Sequence, residues 1–311
     1  MALMFTFFAF VLVFSIFEGY FRYVYDVSDG LGFLKVNQKW HERHVVFNSS
    51  FVRDRDFNVE KDRSTIRIGV LGDSLTFGAG VKNPEDRFSN LLEDMLIQKG
   101  YKVEVYNLGR SGTDTEGQIK SYEEVKKYDF DLIVWQYYLN DIQPEKNSTG
   151  AKVITSVSAP SYIKTLSNTS FFFDFLYWRF SQRYQQTFDQ LKNADLAQYQ
   201  DPEVLKTHQD QIKSFMEKLH KEDKKVVVII FPFIHLLCPN YPARDAHAKI
   251  SETFTQNGAE VIDLLNVLGD DKNPKDLVAS KFDSHPNEKV HKIAADELAK
   301  TISKLLNQPI F

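Results

Sequence analysis

Five short runs of apolar, largely β-branched residues recur along this chain, with helical patterns between them. The runs occupy Ile66–Leu71, Val103–Leu108, Leu132–Tyr137, Val226–Phe231 and Ala259–Leu264. Runs of this length and composition are typical of buried strands. Because parallel strands need crossover connections, strands that alternate with helices predict an α/β domain with a doubly wound parallel sheet of about five strands and helices on both faces.

The segments between the runs repeat apolar residues at helical spacing. Phe88–Leu96 follows Pro84, a first-turn proline, and Gly100 is expected to end that helix. Further helices are predicted at 115–128, Val204–Glu222, Ala243–Gln256 and Lys289–Leu306.

The stretch 142–203 interrupts this alternation between the third and fourth strands. It contains the aromatic run Phe171–Trp178, and insertions of about 60 residues are usually functional or self-packed. The simplest interpretation is a helix that buries its aromatic side chains on the domain. The alternatives are a lid or substrate platform over a site, or a patch that docks on a membrane.

The amino-terminal segment differs from the rest of the chain. Met1–Phe17 contains no charged side chain, which predicts a hydrophobic membrane anchor over 1–25, followed by a stalk or pre-domain over 26–63 and the main domain over 64–311. A signal peptide is disfavoured because no basic residue precedes the run. A helix buried within the fold is the remaining alternative.

Composition narrows the functional classes. The formal net charge is −4, which argues against a nucleic-acid-binding surface. Cys238 is the only cysteine, which excludes an internal disulfide and a cysteine-based zinc site. His291 could join Asp283 and His285 as a metal ligand, but the sequence offers no further ligand cluster, so neither a metal nor a cofactor is predicted.

Three reactive side chains follow predicted strands or precede predicted helices. Gly72-Asp73-Ser74 comes directly after the first run, and Asp283 and His285 lie just before the last helix. In open α/β sheets, chemistry is carried out at the carboxyl ends of the strands. A serine needs a base, and the base needs an orienting carboxylate. The pattern therefore predicts Ser74 as a nucleophile, His285 as its base and Asp283 as the orienting group.

Acyl transfer also needs donors for a developing oxyanion. The backbone N–H of Ser74 is one candidate. The glycines in Asn107–Thr113, after the second strand, and the side-chain amide of Asn140, after the third strand, are two others. All three strand ends are expected at one edge of the sheet.

These motifs together resemble those of the SGNH, or GDSL, hydrolase superfamily. The matching blocks, in order, are Gly72-Asp73-Ser74, Asn107–Gly112, Asn140-Asp141 and Asp283–His285. The resemblance covers about 64–311 and implies the flavodoxin-like SGNH hydrolase fold. It also implies Ser74, Gly112 and Asn140 as oxyanion donors and Ser74, Asp283 and His285 as the catalytic triad. Tyr138 departs from the family, which usually has glycine there.

The resemblance extends to bacterial membrane-tethered members, which often act on acyl groups of surface polysaccharides. It implies a cofactor-free serine esterase or acyl hydrolase that cleaves ester-linked acyl groups, including O-acetyl groups of a glycan, through an acyl-serine. The anchor would hold the catalytic domain on the extracytoplasmic side, in the periplasm or at the cell surface. Alternatives are an O-acetyltransferase on a surface polysaccharide, a non-catalytic module that binds a glycan or partner, and a flavodoxin-like phosphate or flavin binder.

Overall fold

The centre of the fold is a five-stranded parallel sheet in the order β2-β1-β3-β4-β5. The computed structural model describes residues 1–142, 160–181, 183–269 and 273–307. The strands of the sheet are β1 (Ile66–Leu71), β2 (Val103–Asn107), β3 (Leu132–Tyr138), β4 (Lys225–Phe231) and β5 (Glu260–Asp263). This strand order is that of flavodoxin-like doubly wound folds. The predicted fold class is confirmed.

Helices cover both faces of the sheet. The helices of the described residues, not all of which contact the sheet, are α1 (Ala2–Tyr23), α2 (Val36–His44), α3 (Ser74–Phe77), α4 (Phe88–Gln98), α5 (Thr115–Val125), α6 (Ser161–Thr169), α7 (Phe171–Phe180), α8 (Arg183–Gln198), α9 (Pro202–Lys221), α10 (Arg244–Gln256), α11 (Leu264–Leu268) and α12 (Glu288–Asn307). Helices α4 and α12 pack together on one face, and α9 packs against α5 and α10 on the other. A separate antiparallel hairpin joins β6 (Val278–Ser280) to β7 (Asp283–Pro286).

Burial on both faces explains why the strands read as continuous apolar runs. Every residue from Leu132 to Tyr137 in β3 and from Val226 to Phe231 in β4 is buried. Trp135 packs on Phe215 of α9, whereas Phe231 packs on Phe88 of α4. A strand covered by helices on both sides is apolar at nearly every position; the exception in β3 is Gln136, whose Oε1 accepts from the Asp73 N–H and the Thr76 hydroxyl.

The helix ends follow the sequence signals with two differences. Gly100 has a φ of 88° just after α4, as expected for a glycine that ends a helix. Pro84, however, begins a separate 3₁₀ turn, Pro84–Asp86, because Arg87 is extended and breaks the helix before Phe88. The helix predicted over 115–128 is α-helical only to Val125 and continues as a 3₁₀ turn, Lys126–Tyr128.

Among the described residues, α1 is the helix that is long and apolar enough to cross a membrane. Its most apolar window has a mean hydropathy of 2.1 and is not buried in the fold. Its 22 residues correspond to about 33 Å of helix, close to the hydrocarbon thickness of a bilayer. A membrane anchor and a signal sequence share these properties.

The carboxyl end of α1 is bound to the aromatic helix of the predicted insertion. The Glu18 carboxylate accepts hydrogen bonds from the backbone N–H groups of Phe171 (3.1 Å) and Phe172 (3.0 Å) at the start of α7. The ring of Phe172 stacks on that of Phe17, with the centroids 4.9 Å apart. Helix α7 therefore buries part of its aromatic surface against the base of α1. Residues 143–159 of the insertion lie outside the described residues.

The pre-domain does not stand clear of the main domain as a stalk would. It contains α2 and, within 26–63, no β-strand. Leu34, Val36, Trp40 and Arg53 are buried. Val36 and Trp40 are one helical turn apart in the short helix α2, and the remaining backbone of 26–63 is irregular, so the segment shows no extended periodicity in the sequence.

Arg53 fixes the loop that follows α3. Its buried guanidinium donates to the carbonyl oxygens of Gly78 (2.8 Å), Val81 (2.9 Å) and Lys82 (3.0 Å). Burial lowers the pKa of Arg53 to about 10, so the group stays charged near neutral pH. The pre-domain thus supports the loop beside the predicted nucleophile.

Replacing Arg53 with methionine should lower the free energy of unfolding by about 3 kcal/mol, because the three loop carbonyls lose a buried charged donor. Denaturant unfolding of the detergent-solubilised full chain measures this. Arg55→Met is the matched control: its half-exposed guanidinium pairs with Glu93, and such surface pairs contribute at most about 1 kcal/mol. Equal effects of the two substitutions would contradict the interpretation.

Candidate active site

The turn between β1 and α3 presents the Ser74 hydroxyl at the carboxyl edge of the sheet. Asp73 caps α3, since its Oδ1 accepts from the Leu75 N–H at 2.9 Å. Gly72 is required by space: a Cβ there would lie 2.2 Å from Thr76 Oγ1 and 2.3 Å from Gln136 Oε1. The tight turn therefore depends on Gly72 and Asp73, the two residues that precede Ser74.

The structure brings Ser74, His285 and Asp283 together. Ser74 Oγ lies 2.8 Å from His285 Nε2 across 211 positions of sequence. His285 Nδ1 is hydrogen-bonded to Asp283 Oδ1, and the backbone N–H of His285 donates to the same oxygen at 3.0 Å. Asp283 is only 1% exposed. Asp283 and His285 lie on β7, a short strand that pairs with β6 just before the last helix.

The charges of the site favour the arrangement of a nucleophile, a base and an orienting carboxylate. Burial alone would lower the pKa of His285, but the charge of Asp283 and its hydrogen bond, with smaller contributions from Asp73 and Asp29, raise that pKa above its usual value. Burial alone would raise the pKa of Asp283, yet the interactions with His285 and a hydrogen bond from Ser28 keep it low. Asp283 is therefore ionised near neutral pH, and His285 is poised to accept a proton.

Asp73 and Asp141 are buried carboxyl groups behind this site. Burial raises the pKa of Asp73 to about 6. Burial, together with the charge of Asp73, also raises the pKa of Asp141 well above its usual value. Among the described residues, Asp73 Oδ2 has no hydrogen-bond partner. The capping bond to Leu75 supports the interpretation that Asp73 shapes the turn.

Ser74 opens into a cavity of about 410 Å³. The sheet edge contributes one wall, which includes the predicted oxyanion donors Gly112 and Asn140. The opposite wall comes from α8 and the loop after β4, and the pre-domain contributes a small part. The wall from α8 and the loop after β4 contains Phe188, Leu191, Lys192, Asp195, Phe233 and His235. The pre-domain contributes Gly30 and Leu31.

The two additional donor positions differ in their surroundings. Gly112 is exposed, with a φ of 81° that favours glycine, and no atom would contact a Cβ there. Asn140 precedes Asp141, whose carboxylate accepts from the Tyr138 N–H (2.8 Å) and the Gln118 side chain (2.9 Å). These bonds fix the turn that carries the Asn140 amide. The structure therefore places both residues around the same cavity as Ser74.

The first glycine of the second block has a packing role. A Cβ on Gly109 would lie 2.2 Å from the backbone nitrogen of Phe77. The neighbouring Asn107 side chain donates to the Thr76 carbonyl at 2.6 Å and to Ser89 Oγ at 2.7 Å. The loop after β2 is thus tied directly beneath α3.

Two further histidines are not part of the Ser74–His285–Asp283 chain. His291 accepts a hydrogen bond from the Phe88 N–H at 3.2 Å, so it joins α12 to α4. His235 lies in the cavity wall, and burial lowers its pKa to about 4, which keeps it neutral. Tyr138, the departure from the family pattern, also lines the cavity and packs on Phe233.

Comparison with known proteins was made on sequence and on structure. The model of the GDSL-like lipase/acylhydrolase family matches residues 70–293. No curated protein matches the sequence. Similar solved structures include an α/β hydrolase from the metagenome of Lake Arreo, with 12% identity and a TM-score of 0.50 over 79% of this chain and 97% of the other.

Two other solved structures are also similar to this chain. The psychrotrophic esterase EstA from Pseudoalteromonas sp. has 18% identity and a TM-score of 0.46 over 78% of this chain and 99% of its own. The lipase/acylhydrolase from Enterococcus faecalis has 15% identity and a TM-score of 0.47 over 77% and 96%. At these identities, structural similarity speaks only to the fold. The family match extends from the end of β1 into α12, so the chain belongs to the GDSL-like lipase/acylhydrolase family and is a serine hydrolase.

Proposed function

We propose that this protein is an esterase that removes acyl groups from an acylated glycan through an acyl-Ser74 intermediate. The observation that carries the proposal is the continuous chain from Ser74 Oγ to His285 Nε2, at 2.8 Å, and from His285 Nδ1 to the buried Asp283. This is the arrangement that activates a serine hydroxyl.

Each step of the reaction has a residue of this chain to perform it. Ser74 Oγ attacks the ester carbonyl while His285 Nε2 takes its proton, and Asp283 stabilises the resulting imidazolium. The Ser74 and Gly112 N–H groups and the Asn140 amide face the developing oxyanion. His285 then returns the proton to the departing alcohol oxygen as the acyl-serine forms. Water, deprotonated by His285, releases the acyl group as a carboxylic acid.

The α8 wall favours an alcohol component rich in hydroxyl groups. Phe188, Lys192 and Asp195 recur at helical spacing on one face of α8 and line the cavity. Burial raises the pKa of Asp195 to about 7. The Asp195 carboxyl group and the Lys192 ammonium, which pairs with Asp189 at 3.7 Å, offer both acceptors and donors to sugar hydroxyls, whereas a purely apolar wall would suit an acyl chain.

Asp195→Asn should raise KM for an acetylated xylan or mannan about tenfold, because one acceptor oxygen of this partly buried side chain becomes an amide donor. Turnover of an aryl acetate, which lacks those hydroxyls, should change little. Asp210→Asn, the same substitution at an exposed position on α9, serves as the control. An enzyme that cleaves aryl acetate but releases no acetate from any acetylated polysaccharide would contradict the glycan assignment.

Labelling with a fluorophosphonate tests the acyl-serine route directly. The detergent-solubilised full chain should gain one adduct by intact mass, and peptide mapping should locate it on Ser74. Ser111 and Ser284 also line the cavity and provide an internal comparison, since neither has the bond to His285. A folded protein that gains no adduct, or an adduct on another serine, would refute the assignment of Ser74.

We further propose that α1 anchors the protein and that the catalytic domain lies on the extracytoplasmic side. The support is the hydropathy of α1 and the substrate class, because acylated surface glycans lie outside the cytoplasm. Digestion of intact spheroplasts with protease measures the orientation: a domain degraded only after lysis would contradict this placement.

A further inference from the structure

We infer that the pre-domain segment Ser28–Gly30, which precedes the family match, belongs to the active site and that Ser28 is a positioning residue for Asp283. The inference rests on the proposed function, since it assigns a role relative to the Ser74–His285–Asp283 chain. It separates this protein from a hydrolase whose site is complete within the sheet domain.

The backbone of the segment lies directly against the Asp283–His285 pair. The Gly30 N–H donates to the Phe282 carbonyl at 3.0 Å, which joins the segment to the residue before Asp283. A Cβ on Gly30 would lie 3.2 Å from Asp283 Oδ1 and 3.6 Å from His285 Nδ1. Only a glycine leaves room for this approach without moving the carboxylate or the imidazole.

Ser28 is a second side-chain partner of the Asp283 carboxylate besides His285. His285 engages Oδ1 through both its ring and its backbone N–H. A Cβ on Gly80 would lie 3.5 Å from Asp283 Oδ2 and 3.7 Å from Ser28 Oγ, so the serine hydroxyl and this carboxylate border the same point beside Gly80. Ser28 is 5% exposed and hydrogen-bonds the Asp283 carboxylate. The carboxylate is therefore held by Ser28 as well as by His285.

The segment is itself rigidly held. The Asp29 side chain accepts from the N–H groups of Leu31 (2.9 Å) and Leu34 (2.6 Å), and its own N–H donates to Asn37 Oδ1 (3.1 Å). A cluster of buried side chains surrounds this turn, namely Phe21, Leu34, Val36, Trp178 and Phe282. This membrane-proximal cluster packs the end of α1, the pre-domain and α7 against the residue that precedes Asp283.

The consequence is a carboxylate that cannot rotate away from His285. Without the Ser28 hydroxyl, the carboxylate would rotate more freely, so a smaller fraction of the enzyme would hold His285 in the productive orientation. The carboxylate would also lose a donor that competes with His285 for its negative charge. The freed charge would stabilise the imidazolium more strongly, so the base would lose its proton at higher pH. A substitution of Ser28 should therefore reduce kcat and move the acidic limb of the pH profile upward, with little change in KM.

The test uses the full chain in detergent with an aryl ester as substrate. Ser28→Ala should lower kcat about tenfold, with KM unchanged and the acidic limb of kcat/KM at higher pH. Ser50→Ala is the matched control, because Ser50 lies in the same pre-domain but bonds Tyr128 at the opposite edge of the sheet. It should behave like the unmodified protein.

Gly30→Ala provides a second variant that removes no polar group, and it should also lower kcat, because its Cβ would displace the carboxylate. Wild-type kcat and an unshifted acidic limb in Ser28→Ala would overturn the inference. If Ser28→Ala does not fold, wild-type kcat in Gly30→Ala would overturn it. Ser74→Ala, measured alongside, separates a failure of the inference about Ser28 from a failure of the proposed function. Equal turnover by Ser74→Ala and the unmodified protein would refute the proposed function.

Discussion

Ser74→Ala is expected to lower kcat/KM for a short-chain aryl ester by about 10⁴- to 10⁶-fold, the usual loss when a serine hydrolase is deprived of its nucleophile. The loss follows from the geometry, because Ser74 Oγ is the oxygen 2.8 Å from His285 Nε2. With the hydroxyl removed, no acyl-enzyme forms, and the remaining donors can assist only a slow direct attack by water.

The substitution should leave the fold intact, which makes the loss interpretable. Ser74 is 9% exposed, and alanine fits in its place without a new contact. The melting temperature of Ser74→Ala should therefore stay close to that of the unmodified protein. Ser214→Ala, on the exposed side of α9, should retain full turnover. A Ser74→Ala protein that keeps more than about one per cent of the activity would refute the nucleophile assignment.

The sheet domain was predictable because its signals are local. Strands covered on both faces produce uninterrupted apolar runs, and the connections between them carry helical spacing. The residues at the strand ends then share one edge by topology alone. For this reason Ser74, Gly112 and Asn140 were expected near one another before the structure placed them around one cavity.

The rest of the site depends on contacts between distant segments. The approach of Gly30 to His285 joins the pre-domain to β7, and no pattern within 26–63 indicates which residues face inward. Asp195 belongs to the predicted insertion, whose helical spacing is compatible with several packings. Its position in the cavity wall follows only from how α8 lies across the sheet edge. The positions of Gly30 and Asp195 are both set by tertiary packing, which the local sequence pattern does not show.

Asp283→Asn is expected to lower kcat/KM at neutral pH by about 10³- to 10⁴-fold, because an amide cannot stabilise the imidazolium and lets the ring adopt the wrong tautomer. Asp283 is 1% exposed, and its Oδ1 accepts from both the ring and the backbone N–H of His285. Asp210→Asn again controls for the substitution itself. Retention of more than about a tenth of the activity would show that Asp283 does not orient the base.

The pH profile gives this substitution a second, independent readout. His285 must be neutral to accept the Ser74 proton, so kcat/KM of the unmodified enzyme should rise with pH as the imidazolium loses its proton. That acidic limb should lie above the ordinary histidine value of about 6.5, because Asp283 outweighs the effect of burial on the pKa. In Asp283→Asn, only the weaker charges of Asp73 and Asp29 oppose the lowering of the His285 pKa by burial. The acidic limb of the residual activity should therefore lie at lower pH. An acidic limb that does not move, or that moves upward, would mean that another group sets the protonation of the base.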